Sequence, residues 1–259
     1  MGTVAKALSL LDLFNRNRST IGLSDMARLS GLNKATVHRL MQELQAQGFV
    51  EQLGAGREYR LGPAFLRLAA LREAAVPLRD LAASVLHELA DVTGETTHVS
   101  LLYGHTLSTV AYAYSDQHGT LVTMDDAQQL TFHNTSSGLA TLAFSDPTLT
   151  DAVLAQPLEA RTPETITDPA QIRTMLPAIR ASGIAESVGG FEADVHSHGV
   201  PLFDSTTRVI GAMAVAAPTA RMTAAHQSLI RRELRAHAIR LTRLLGGFLP
   251  EGFDRSEAA

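Results

Sequence analysis

Two short runs in the second half of the chain could bind a small molecule. In Phe132-His-Asn-Thr-Ser-Ser-Gly-Leu-Ala140, a polar, small-residue segment leads into a helix. The first N–H groups of a helix lack internal acceptors, so such a start attracts a carboxylate through free donors and the helix dipole. Ser136, Ser137 and the Gly138 backbone allow close approach, Asn134 and Thr135 add side-chain donors, and His133 and Leu139 flank the turn. The same pattern also describes ordinary capping, in which Ser and Thr satisfy only their own backbone. In Val195-His-Ser-His-Gly199, strand periodicity puts His196 and His198 on one face with Val200 and Leu202, and Ser197 and Gly199 on the other. Two imidazoles at i and i+2, joined by His133 or Glu186, could ligate zinc or nickel. Partly buried, hydrogen-bonded histidines are the plainer reading, and no residue is assigned as a metal ligand. A bulge at Gly199 would exchange the faces.

A third run carries chemistry of another kind. Residues 23–50 read as two short helices joined by a turn, followed by the start of a strand. Ser24 is a good N-cap for the first helix, which would turn Met26, Ala27 and Leu29 inward. Gly31 can take the left-handed conformation that ends it. Asn33 caps the second helix, whose apolar positions Val37, Leu40, Met41 and Leu44 follow the i, i+3, i+4, i+7 pattern. Its opposite face holds Lys34, Ala35, His38, Arg39 and Gln42, side chains that are small or able to donate hydrogen bonds in a DNA major groove. Gly48 stops that helix. Residues 49–53 and 57–61 read as strands turned at Gly54-Ala-Gly56, a wing that brings Arg57 within reach of a phosphate or the minor groove. Val4, Leu8, Leu11 and Phe14 form the stripe of a preceding helix. The set predicts a winged helix-turn-helix over residues 1–62, the competing reading being a small helical subdomain whose surface charges simply face water.

The remaining elements predict an α+β domain. Residues 63–76 have the composition of a linker helix, with Phe65, Leu66, Leu68, Ala69 and Leu71 apolar. A helix over about 77–92 buries Leu81, Val85, Leu86 and Leu89. Strands over 97–103 and 107–114 turn at Gly104-His105, and Asp168-Pro169 opens a helix that ends at Gly183. Strands over 195–203 and 209–217 precede a last helix over about 223–245. Helices on an antiparallel sheet make residues 77–249 one domain, with 250–259 a flexible tail. Phe132, Tyr112 and Phe203 are the aromatics nearest the candidate pocket.

Composition bounds the function. The chain has 259 residues, 45% of them hydrophobic, and no cysteine, so disulfide and thiolate chemistry are excluded and a cytoplasmic protein is expected. No apolar run reaches membrane-spanning length and the N-terminus lacks a signal-peptide layout, so no membrane partner is expected. The net charge of −4 is unevenly held. Residues 1–62 carry eight Lys/Arg against five Asp/Glu, a balance of +3, which leaves −7 for the rest. No Gly-x-Ser-x-Gly elbow, His-Glu-x-x-His or phosphate loop is present, so catalysis is not expected and no cofactor is assigned. A metal-dependent enzyme using His133, His196 and His198 is the rival from another class. A third reading is a DNA-binding protein that takes no small molecule.

Leu32-Asn-Lys-Ala-Thr-Val-His-Arg-Leu-Met, Gly48-Phe-Val and Tyr59-Arg-Leu-Gly-Pro63 resemble the winged helix-turn-helix of IclR-type bacterial transcription regulators. Thr167-Asp-Pro, residues 179–185, 200–204 and Val209-Ile-Gly-Ala-Met-Ala-Val215 resemble that family's effector domain. The resemblance implies an N-terminal DNA-binding domain and a C-terminal GAF-like effector domain. The DNA-facing set is then Ser24, Lys34, Ala35, Thr36, His38 and Arg39, with Arg57 on the wing. Ala35 stands where the family commonly has Ser. The effector set is His133, Asn134, Thr135, Ser136, Ser137, Gly138 and Leu139, together with Ser197 and Ala214, and Gly138-Leu139 replaces the family's usual Gly-Lys. The implied partners are a palindromic duplex operator, a small organic acid and further copies of the chain, as a homodimer or homotetramer. Leu10, Leu11, Leu13, Phe65, Leu68 and Leu71 are the apolar positions expected to mediate pairing.

Overall fold

The computed structural model describes residues 2–15, 18–54, 57–75, 78–125 and 129–253. The chain divides into two compact units, Met1–Pro77 and Leu78–Ala259.

The first unit is helical with a two-stranded hairpin. Helices α1 (Thr3–Leu11), α2 (Leu23–Ser30) and α3 (Lys34–Ala46) are followed by β1 (Val50–Leu53), β2 (Glu58–Leu61) and α4 (Ala64–Ala75). Leu10, Ile21, Met26, Val37, Leu40, Met41, Val50 and Tyr59 form its core. Gly31 ends α2 at φ 68°, and the Asn33 side chain accepts from Thr36 N–H to cap α3. Three sequence expectations are corrected. The N-cap of α2 lies two residues earlier than expected, at Gly22, so Ser24 lies inside the first turn rather than capping it. Leu29 faces solvent while Met26 is buried. On α1 the inward face is Ala7, Leu10 and Leu11, whereas Val4 and Leu8 point outward. Leu10 therefore belongs to the core and is unavailable for pairing. The turn residues Ala55 and Gly56 lie outside the described residues.

The second unit is a six-stranded antiparallel sheet with helices on both faces, the α+β arrangement expected. Its elements are α5 (Leu78–Thr93), β3 (Thr96–Tyr103), β4 (Thr106–Ala113), β5 (Gln129–Leu130), α6 (Ser136–Phe144), α7 (Pro147–Leu154), α8 (Pro169–Ser182), β6 (Ala185–Val188), β7 (Val195–Phe203), β8 (Val209–Pro218) and α9 (Ala224–Leu244). The strand order is β5-β4-β3-β8-β7-β6. Strand β8 shows how the two faces are specified. Met213, Val215 and Ala217 join the core under α5 and α9, while Ala212, on the alternate face, joins the core under α6 and α8. The small side chains Ala212, Ala214 and Ala216 leave room on that second face. So does Gly199 on β7, where an added Cβ would lie 2.6 Å from the Ser136 carbonyl carbon. Helix α6 therefore starts directly on the sheet.

The sequence reading missed β5, β6 and α7. It also placed a flexible tail from residue 250. Phe253 is instead buried against Phe144 and Phe203, and its carbonyl accepts from Arg235 at 2.6 Å. Residues 254–259 lie outside the described residues.

Candidate functional site

Helix α3 presents one face to solvent. Lys34, Ala35, His38, Arg39 and Gln42 are exposed and Thr36 is half-buried at its first turn. Ser24 meets this face from α2, its hydroxyl accepting from Lys34 Nζ at 3.0 Å. That bond couples the lysine to the neighbouring helix instead of capping one. Arg57 is exposed at the end of the hairpin, with φ 49°, and its carbonyl accepts from Gln52 Nε2 at 2.9 Å. The hairpin is itself tied to the segment before α2, because Ile21 and Tyr59 exchange backbone hydrogen bonds of 2.9 Å. The face thus combines a capped helix and a braced wing, each carrying cations at its exposed end, which is the arrangement needed to lay one element in a groove and another on the backbone.

In the second unit a cavity of about 50 Å³ opens at the start of α6, lined in part by Thr135, Ser136, Ser137, Ser197, Ala216 and His98. Phe191, Glu192, Val195, Val122, Met124 and Leu130 complete it. Thr135 caps α6, its Oγ1 accepting from Gly138 N–H at 3.0 Å. The N–H groups of Ser136 and Ser137 fall in the first turn, where no intrahelical acceptor exists. Strand β7 alternates as expected, with no register shift at Gly199. Ser197 faces the cavity, and His196 and His198 face the other side of the sheet.

Sequence reasoning named four of the lining residues, Thr135, Ser136, Ser137 and Ser197, and missed the rest, among them His98. It is buried on β3, its Nε2 lies 3.1 Å from Ser137 Oγ, and its Nδ1 has no protein partner. Burial pushes its pKa down to about 4, so the ring is neutral near pH 7. One signal was available: on a strand whose other face is apolar at Val99 and Leu101, an alternating histidine must face something other than the main core.

The other predicted effector residues lie close by but outside the lining. Gly138 packs on its own approach, where an added Cβ would lie 2.4 Å from Phe132 Cα. Its missing side chain makes room for backbone rather than ligand. Leu139 joins the core beneath α6, and Ala214 is wholly buried on β8. The Asn134 carbonyl accepts from Ser187 Oγ at 2.8 Å. His133 bonds the Glu159 carbonyl at 3.0 Å and faces a separate groove beside α7. Of the expected aromatics, Phe132 and Phe203 are core residues and Tyr112 packs on Tyr114; Phe191 is the ring that borders the cavity.

On the opposite face of the sheet Glu186, His196 and His198 come together, and His133 does not join them. His196 Nε2 lies 2.6 Å from Glu186 Oε1. Arg231 of α9 donates to His198 Nε2 at 3.2 Å and to Glu186 Oε2 at 2.9 Å. Burial pushes the His198 pKa down to about 4; Glu186 opposes that shift, while Arg231 and His196 reinforce it.

Comparison with known proteins agrees with both halves of this geometry. Residues 3–54 match the IclR helix-turn-helix domain, and residues 72–243 match the bacterial transcriptional regulator IclR C-terminal domain. The glycerol operon regulatory protein of Streptomyces griseus is 30% identical over 85% of this chain and 86% of its own. The crystal structure of a Silicibacter sp. TM1040 protein assigned to the IclR transcriptional regulators is 58% identical. It covers 97% of this chain and 98% of its own, with a TM-score of 0.93. An IclR homologue from Microbacterium hydrocarbonoxydans, solved in complex with 4-hydroxybenzoate, is 27% identical over 95% of this chain and 99% of its own, with a TM-score of 0.59.

Proposed function

The chain belongs to the IclR family of bacterial DNA-binding transcription regulators, and from that premise we propose that it controls a catabolic operon in response to a small organic acid. Members of this family are regulators rather than enzymes, which sets aside the metal-dependent hydrolase reading. In this proposal residues 1–62 bind DNA, 63–76 link the domains and 77–249 receive the effector. Lys34, Thr36, His38 and Arg39 face the major groove, and Arg57 touches the backbone from the wing. One short recognition helix reads few base pairs, so the chain acts as a dimer or tetramer on a palindromic operator.

The observation that carries the effector reading is the start of α6 opening into a cavity beside Ser197 and His98. The free first-turn donors receive the carboxylate, and the donor-capable His98 ring lies within the same lining. The long-range field of the second unit is negative, but screening confines it to roughly 10 Å while these donors act at contact. The related regulator that holds 4-hydroxybenzoate supports an acid as the ligand class. A cavity of about 50 Å³ is far below the several hundred expected for a ligand pocket, so its lining must widen on binding.

A thermal-shift screen of small organic acids on the full chain tests this reading. A ligand at 100 times its Kd should add about 2.7 kcal/mol to stability. Ser136→Asp places a negative charge where the carboxylate belongs and should abolish the shift while DNA binding persists; Ser137→Ala is the milder probe and should weaken it. An undiminished response in both variants, or an effector that is a cation or neutral sugar, would overturn the placement.

A further inference from the structure

The cluster of Glu186, His196 and His198 plays no part in the proposed effector site, which lies on the other face of the sheet. Its geometry is fixed by strand pairing. Glu186 of β6 stands opposite His198 of β7, and Val188 stands opposite His196. Cross-strand partners share a face, so the three side chains are held together by backbone register rather than by a loop. The imidazole rings stack with centroids 5.0 Å apart. One potential ligand atom from each residue lies within 4.8 Å of the others. Glu186 Oε1 is 2.6 Å from His196 Nε2 and 3.6 Å from His198 Nε2.

We propose that Glu186, His196 and His198 form a zinc site, with the two Nε2 atoms and one carboxylate oxygen as protein ligands and solvent in the fourth position. Zinc–ligand bonds of about 2.0–2.2 Å in a tetrahedron imply ligand atoms about 3.4 Å apart. The His198 spacing already matches. The His196 spacing needs to widen by under 1 Å, a movement open to the 39% exposed Glu186 side chain, and the proton through which His196 Nε2 bonds Glu186 passes to solvent as zinc takes its place. The chain has no cysteine, so imidazole and carboxylate are the strong zinc ligands it can offer.

Arg231 is the competitor, and its contacts also mark the site. Because its N–H donates to His198 Nε2, that nitrogen carries a lone pair rather than a proton, and the lone pair, now held by Arg231, is released to a cation when Arg231 withdraws. Its other bond, to Glu186, puts a positive charge where a cation would sit. The Arg231 side chain is 46% exposed at its position on α9 and can swing into solvent when metal enters. Bound zinc would then pin the sheet-edge strand β6 to β7, the strand that presents Ser197 on its opposite face.

The test uses the full chain, stripped with a chelator and titrated with zinc sulfate against a chromophoric competitor, with circular dichroism as the folding control. One zinc per chain and a rise in Tm are expected. His196→Ala should weaken binding at least tenfold. Glu186→Gln, at a half-exposed position that tolerates change, should also weaken it. Arg231→Ala should strengthen it several-fold by removing the competing charge. No uptake at micromolar zinc, unchanged binding in His196→Ala and Glu186→Gln, or weaker binding in Arg231→Ala would each overturn the proposal; the last result would identify the cluster as an ion-pair network.

Discussion

Arg39 and His98 sit in opposite environments and make opposite kinds of prediction. Arg39 is exposed on α3, so truncating it should leave the fold intact and register only when DNA is present. Arg39→Ala should cost about 1–3 kcal/mol in operator affinity if the guanidinium reads a base edge. If it touches phosphate instead, the loss should be the same on random duplex and the salt slope should shrink by about one. A binding titration at two salt concentrations separates the cases, and an unchanged affinity in both would remove Arg39 from the interface. His98 is buried, and its depressed pKa makes it a determinant of acid stability. As pH falls, the unfolded chain takes up this proton first, near 6.5, and the folded chain only near 4. Stability is therefore fully present above about 6.5 and is lost progressively as pH falls toward 4. His198 is pushed the same way, so both contribute within one window. His98→Asn should lower the slope of unfolding free energy against pH there by at most one proton, about 1.4 kcal/mol per pH unit. Urea titrations across pH 4–7 would measure it, and an unaltered slope would mean that His98 takes up its proton in the fold at the same pH as in the unfolded chain.

At the scale of elements, helix ends and close approaches decide the geometry. Gly62 at the base of the wing donates to the Phe49 carbonyl at 2.8 Å, and an added Cβ would lie 2.3 Å from the Gly48 carbonyl oxygen. Backbone cannot yield there cheaply, so Gly62→Ala should destabilise the first unit by about 1–3 kcal/mol and weaken DNA binding through the displaced wing. Denaturant melts paired with a DNA titration would check this, and a variant matching wild type in both would show that the hairpin base is slack. That approach was invisible in the sequence, whereas the caps at Asn33, Thr135 and Asp168 are local and largely legible. Ser24 misled for a related reason. A good capping residue says where a helix can start, but Gly22 one residue before Leu23 took the role. Strand β7 was readable because period-two alternation survives in Val195-His-Ser-His-Gly, and it correctly separated Ser197 from the histidines. Strands β5 and β6 were not readable, since two and four residues are too few to establish a period. The cavity lining was only partly legible. Thr135, Ser136, Ser137 and Ser197 announce themselves as polar, but His98 reaches the site only because the sheet brings β3 under α6.

For the whole molecule the question is how the chain reaches useful specificity on DNA. Among the described residues no helix is long and apolar enough to cross a membrane. On α4, Leu66 is 75% exposed, Leu71 58% and Leu68 41%, and on α1 Val4 and Leu8 are also exposed. A helix that leaves three leucines in water is poorly explained as a lone surface element. Two-fold pairing would bury them and set a second recognition helix at a fixed spacing from the first. Each leucine buried contributes about 1.5–3 kcal/mol, and symmetry counts every one twice. Leu68→Gln combined with Leu71→Gln therefore removes several kcal/mol from pairing without touching the core of the first unit. Light scattering at micromolar concentration should give at least a dimer for the wild type and half that mass or less for the double variant. Operator affinity should fall at least tenfold in parallel, because each separated copy holds a single half-site. A monomeric wild type, or a double variant that keeps both its mass and its affinity, would place the pairing surface elsewhere on the chain.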